Sequence, residues 1–171
     1  MSQVQSFPPI EPASAQVLIL GSMPGRASLQ AQRYYAHPRN AFWPIMSTLL
    51  GFDLELPYEQ RLARLQAAGV GLWDVLQTCT RDSSLDSDIV ESSIVANDFA
   101  GWFERHPGTQ AVLCNGRKAW ESYRRHVLPA LPAPSAGLPL HCLPSTSPAY
   151  AAMSFSDKLK TWQAALARMK Y

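Results

Sequence analysis

Cysteine is scarce in this chain, with Cys79, Cys114 and Cys142 the three present and all widely spaced. No disulfide framework follows from them, three thiolates cannot complete a four-thiolate iron-sulfur cluster, and no Cys/His pair has zinc-site spacing. No metal and no cofactor are therefore expected. An excess of one charge sign is also lacking. Fifteen Lys plus Arg against thirteen Asp plus Glu leave a net charge of +2, too little to argue nucleic-acid binding from the overall field. No stretch approaches the ~18 consecutive apolar residues of a membrane span, and no internal repeat is visible. Pro8, Pro9, Glu11 and Pro12 interrupt the start of the chain, so residues 1–15 read as an irregular lead-in rather than a signal peptide. The default expectations are a cytoplasmic location, no membrane partner and a monomer.

What is present describes one compact domain over residues 16–171, with 47% hydrophobic residues. Val17 to Leu20 is a short apolar run ending at Gly21, the pattern of a strand buried on both faces. Phe42, Ile45, Met46 and Leu49 recur at helical spacing before Gly51, and Pro44 must sit in the opening turn of that helix. Leu62, Leu65 and Ala68 mark a second helix, and Val70 to Leu76 reads as a strand. Phe99, Trp102, Phe103 and His106 form a helical stripe stopped by Pro107, followed by a strand at Ala111 to Cys114 and a helix with Trp120, Tyr123 and Val127 on its packed side. A strand at Leu138 to Leu143 and a C-terminal helix carrying Leu159, Trp162, Leu166 and Met169, capped by Ser154 with Asp157, complete the series. The alternation predicts a three-layer α/β/α sandwich around a central, mostly parallel sheet.

Two loops leave the carboxyl ends of predicted strands, where an open parallel sheet forms its ligand crevice. One is Gly21-Ser22-Met23-Pro24-Gly25, and the other runs from Leu143 through Pro144-Ser145-Thr146-Ser147-Pro148-Ala149 to Tyr150. A third segment, Tyr34 to Trp43, adds aromatic surface and the Asn40 carboxamide. The combination suits a flipped nucleobase better than a phosphoryl group. Bland alternatives stand beside each assignment. Asn40 precedes a helix and suits a cap, Asn115-Gly116 suits a turn, Tyr35 and Met23 suit the core, and His37 suits loop ordering. Asp74 is the acidic alternative for water activation, though its strand-end position also suits a cap or turn. Arg117, Lys118, Arg124, Arg125 and His126 read as a solvated helix face.

In order and spacing the three segments resemble the uracil-DNA glycosylase superfamily, and within it the hypoxanthine-DNA glycosylase branch. The resemblance implies an enzyme that binds DNA containing a deaminated base. It would hydrolyse the N-glycosidic bond of deoxyinosine and leave an abasic site, and no lysine near the motifs suggests a Schiff-base lyase step. Association with the nucleoid follows when it acts. Asn40 and Asn115 are the implied catalytic amides. Gly21, Ser22, Met23, Pro24, Gly25, Tyr35 and Phe42 are the implied base-binding set, and Ser145, Thr146, Ser147, Pro148, Ala149 and Tyr150 the implied DNA-binding loop. Two departures bear on mechanism. Met23 stands where better-known branches carry Asp or Asn, and a thioether cannot position water. Ser145 stands where others carry His or Asn. The alternatives are a uracil or broad deaminated-base glycosylase and, in another class, a catalytically silent DNA-binding module.

Overall fold

A computed structural model describes residues 2–168. Met169, assigned above to the C-terminal stripe, lies outside the described residues. Among the described residues the strands are β1 (Gln3–Gln5), β2 (Val17–Gly21), β3 (Val70–Asp74), β4 (Leu76–Thr80), β5 (Val95–Ala96), β6 (Ala111–Asn115) and β7 (Leu140–Leu143). The α-helices are α1 (Arg26–Ala31), α2 (Phe42–Leu50), α3 (Tyr58–Ala67), α4 (Phe99–Arg105), α5 (Arg117–His126) and α6 (Phe155–Ala167).

The main sheet has the order β3-β2-β6-β7, and all its neighbours are parallel. Period-two alternation divides its side chains between two cores. Val17, Ile19, Val70, Leu72, Ala111 and Leu113 face a cluster built with Phe42, Met46, Leu65 and Trp162 from α2, α3 and α6. Leu18, Leu20, Val112 and Cys114 face Phe99, Trp102, Ala119 and Tyr123 from α4 and α5. Covered on both faces, β2 and β6 are buried at every position, which is why they read as continuous apolar runs. The α/β/α expectation therefore holds.

Three local readings are corrected. The Val70 to Leu76 run is two strands, not one. Val75 and Leu76 donate their backbone N–H to Gly21 and Ser22 carbonyls at 2.8 and 3.2 Å, following the exit of β2, and β4 then enters a separate antiparallel sheet of order β1-β4-β5. The lead-in is not wholly irregular. Gln3–Gln5 pairs with Thr78–Thr80, and Ile10 bridges to Leu72. Cys114 and Cys142 both lie in apolar strand-like runs, where free cysteine is expected to pack as a small hydrophobe; Cys114 does, but Cys142 is exposed because β7 is an edge strand.

The basic run on α5 is consumed locally. Lys118, Arg125 and His126 all reach Glu91, at 2.6, 3.2 and 2.8 Å, and Arg117 pairs with Glu121 at 2.9 Å. The hydrogen bonds from Lys118 and His126 hold the Glu91 carboxyl down at about 2.

Candidate active site

The carboxyl ends of β3, β2 and β6 place Asp74, Gly21 and Asn115 side by side, and a cavity of about 580 Å³ opens above them. Gly21 to Gly25 border it on one side and Ser145 to Tyr150 on the other, with Tyr35, His37 and Asn40 between. The structure thus brings together the three segments that the sequence keeps apart.

Two glycines are required for this closure. An added Cβ at Gly21 would lie 2.5 Å from Asp74 Oδ1 and 3.2 Å from the Tyr35 hydroxyl. Gly116 has φ +97°, and a Cβ there would lie 3.1 Å from that of Ser145. The second loop can therefore fold down against the end of β6.

Asn115 is buried and spends both ends of its carboxamide on that loop. Its Nδ2 donates to Thr146 Oγ1 at 2.9 Å, and its Oδ1 accepts from the Thr146 N–H at 2.9 Å. One N–H and one lone pair remain beyond Thr146, with the Tyr35 hydroxyl also within reach of the carboxamide. Thr146 is buried too, with its hydroxyl turned to Asn115 rather than outward. Its carbonyl accepts from the Ala41 N–H at 2.9 Å, tying the loop to the start of α2. The Ser145 and Ser147 hydroxyls each accept, at 3.2 Å, from backbone N–H groups two residues on, which leaves the Ser147 to Tyr150 stretch at the rim. Tyr150 is 38% exposed there.

Asn40 Oδ1 accepts the Phe42 N–H at 2.9 Å at the start of α2, so the capping expectation and cavity access coexist. Its second lone pair and its NH2 group are left for water. His37 Nδ1 accepts the Arg39 N–H at 3.0 Å, the loop-ordering role.

Tyr35 borders the cavity in a left-handed conformation, φ +56°, that is uncommon for a tyrosine. Its ring stacks on Phe42 with centroids 4.0 Å apart and planes 22° from parallel. Phe42 itself has no exposed surface and does not border the cavity, so it backs the wall instead of forming a second one. Met23 is buried in the core on the α4/α5 side and also meets the cavity edge. Pro24 and Gly25 lead into α1, and Ser22 Oγ donates to Asp86 Oδ1 at 2.6 Å.

Sequence reasoning missed three contributors, Phe7, Arg81 and Lys158, and weighed a fourth, Asp74, only as an alternative. Phe7 of the lead-in reaches the cavity, held by its carbonyl to the Trp73 indole at 3.2 Å. Arg81 is 3% exposed beneath the first loop, donating from Nη2 to the Pro24 carbonyl while its Nε and Nη1 find no partner among the described residues. Lys158, eight residues beyond Tyr150, donates to the Tyr150 carbonyl at 2.8 Å and lies 5.1 Å from the centre of that ring. Burial lowers its pKa. Asp74 caps nothing. It is 4% exposed, and its Oδ2 has no hydrogen-bond partner among the described residues. Burial, then the charge of Asp86, opposed by the Arg81 guanidinium, pushes its pKa up to about 7. Burial and the adjacent Asp74 likewise raise that of Tyr35.

Residues 8–169 match the family described as the Uracil DNA glycosylase superfamily. A protein named hypoxanthine DNA glycosylase from Methanosarcina acetivorans is 36% identical over 135 residues, covering 74% of this chain and 84% of that one. Its namesake from Methanosarcina barkeri is 37% identical over 118 residues, covering 68% of this chain and 73% of the relative. A solution NMR structure, described as a candidate uracil DNA glycosylase from M. acetivorans, superposes with a TM-score of 0.77 at 32% identity, covering 95% of this chain and 98% of that one.

Proposed function

Since the chain belongs to the uracil DNA glycosylase superfamily, we propose that it hydrolyses the N-glycosidic bond of deoxyinosine in DNA, releasing hypoxanthine and leaving an abasic site. The observation that carries this reading is the joint cavity at the ends of β3, β2 and β6, closed by two motif loops, walled by Tyr35 and floored by amide and carboxyl groups. Its relatives named hypoxanthine DNA glycosylases, at 36% and 37% identity, support the same substrate class.

The target nucleotide leaves the helix stack, which costs a few kcal/mol and less for a poorly paired base such as inosine opposite thymine. Tyr35, stiffened by Phe42 behind it, offers its ring to the extruded base. The Ser147 to Tyr150 rim lies along the DNA, with Tyr150 sized to occupy the vacated space. Asn115 has one N–H left to donate to the C6 carbonyl of hypoxanthine while Thr146 holds the carboxamide in place. Asn40 aligns water without deprotonating it, its own orientation fixed by the Phe42 N–H. Met23 cannot take either part. In this reading the protein acts on DNA as a monomer in the cytoplasm. No helix among the described residues is long and apolar enough to cross a membrane.

The test is a set of otherwise identical oligonucleotides carrying inosine, uracil, xanthine or ethenoadenine, with free base measured before any strand-cleaving treatment. Hypoxanthine release ahead of uracil is expected. Uracil release with inosine untouched would overturn the substrate assignment, and binding without release of any base would make the chain a silent DNA-binding module.

A further inference from the structure

Asp74 is a buried carboxyl group that, among the described residues, neither caps an element nor pairs through Oδ2. It stands at the cavity floor, at the carboxyl end of β3 and in register with Gly21 of β2. The missing Cβ of Gly21 makes room for its Oδ1 and for the Tyr35 hydroxyl, which reach within 2.5 and 3.2 Å of that one position. The charged and titratable groups around it are Asp86 and Arg81, both on the stretch after β4 that contacts the first loop, and the phenols of Tyr35 and Tyr34. Both phenols are pushed upward by burial and stay neutral. Arg81 is occupied in part by the Pro24 carbonyl. A carboxyl group in such surroundings is held in its neutral form longer than in water, and then carries a proton to give.

The rest of the site leaves a task for that proton. Asn40 aligns water and Met23 does nothing for it, so the attacking side receives little assistance. Help on the leaving-group side compensates. We propose that Asp74 is a general acid that protonates the departing purine at N7, an inference that rests on the deoxyinosine reading above. As the N9–C1′ bond breaks, its electron pair moves into the purine ring and N7 takes the proton of the Asp74 carboxyl, so hypoxanthine leaves neutral. Water then adds its oxygen to C1′ and releases a proton to solvent, and Asp74 recovers a proton from solvent before the next turnover. A pyrimidine has no N7, so this assistance belongs to purines.

The experiment is single-turnover base release between pH 5 and 9 from two DNA duplexes, one with inosine and one with 7-methylinosine. The methylated ring already carries its positive charge and needs no proton. Uncatalysed loss is subtracted in both cases. With the unaltered protein, the inosine rate falls about tenfold per pH unit from neutrality to about pH 8, below the range in which inosine's own N1–H ionises, while the 7-methylinosine rate follows only the loss of its own N1 proton and is the same with and without Asp74. The Asp74→Asn variant loses that alkaline limb and about 100-fold or more of its inosine rate at pH 6, with DNA affinity kept and 7-methylinosine released at the unaltered protein's rate. A merely structural Asp74 slows both substrates together. Parallel loss on both, or an inosine rate with no alkaline fall in the unaltered protein, overturns the inference, and the second result needs no variant to fold. Absence of hypoxanthine release by the unaltered protein, with uracil released, would instead overturn the substrate reading itself.

Discussion

Replacing Asn115 by Ala removes two buried hydrogen bonds, both at 2.9 Å, and strands the buried backbone N–H of Thr146. Each bond is worth about 1 kcal/mol net, and an unsatisfied buried donor costs about 1–3 kcal/mol more, so a loss of about 3 kcal/mol is expected. In a chain of this size that lowers Tm by roughly 6–12 °C. The expectation that Asn115 can be removed at no cost to the fold, natural for a residue that only faces a ligand, is therefore reversed. Thermal denaturation of Asn115→Ala, Thr146→Val and the double variant separates the contributions. The valine removes only the hydroxyl bond, so the pair should couple by about 1 kcal/mol. Base release from inosine and uracil, measured well below the lowered Tm, then reads recognition separately from stability. A larger loss for inosine than for uracil is expected from the N–H that Thr146 leaves free. A folded Asn115→Ala protein melting within about 2 °C of the unaltered one would refute the clamp. Equal slowing of both substrates would move Asn115 from base reading to positioning of the second loop.

Asn40→Ala gives up the acceptor for the Phe42 N–H, about 1 kcal/mol of stability, but should slow single-turnover chemistry by about 100-fold with little change in DNA affinity; parallel losses of affinity and rate would make it a docking residue. Gly21→Ala pushes a methyl to 2.5 Å from Asp74 Oδ1, so a loss of about 1–3 kcal/mol in denaturant titrations and of most activity is expected; an active, fully stable variant would show the Gly21–Asp74 approach to be looser than described. Asp74, with its pKa raised to about 7, binds a proton more tightly folded than unfolded, so its contribution is present in full below about pH 4 and is lost as pH rises toward 7. Asp74→Asn should then melt higher than the unaltered protein at pH 8, by a difference on the order of 4 kcal/mol that shrinks at pH 5, and the same gap at both pH values would refute a raised pKa.

The parts of the fold legible in sequence are those whose burial is two-sided or strongly periodic. Val17 to Leu20 and Ala111 to Cys114 are apolar at every position because helices cover both faces of the sheet. The small antiparallel sheet left no such mark. Gln3, Gln5 and Gln77 are polar, the strands have two to five residues, and β1 meets β4 across more than seventy intervening residues. The motif loops were legible because glycine, proline and hydroxyl residues follow strand ends, and the structure does bring them to one cavity. Their internal bonding was not. Thr146 is one hydroxyl among three in a row and only tertiary contact distinguishes it as the buried partner of Asn115, thirty-one residues away. Phe42 carries the right chemistry for a base-stacking wall and fails on position, since Tyr35 stands between it and the cavity.

Asp74 and Arg81 lie outside every recognised motif, and their meaning depends on two strands being neighbours. Read alone, Trp73-Asp74 is the end of an apolar run. Read against β2, the carboxyl group fills the space that Gly21 leaves open, so the first motif's leading glycine and the acid at the end of β3 form one unit. That pairing also accounts for a site that tolerates Met23. A water-activating carboxylate at position 23 would add a second negative charge to the cavity that Asp74 also lines, and two carboxylates sharing one site cannot both be ionised cheaply. Keeping a thioether there lets Asp74 remain a proton donor. The loop's chemistry is then shifted from the attacking water toward the departing base, which favours a purine that can accept a proton over a pyrimidine that lacks the imidazole nitrogen.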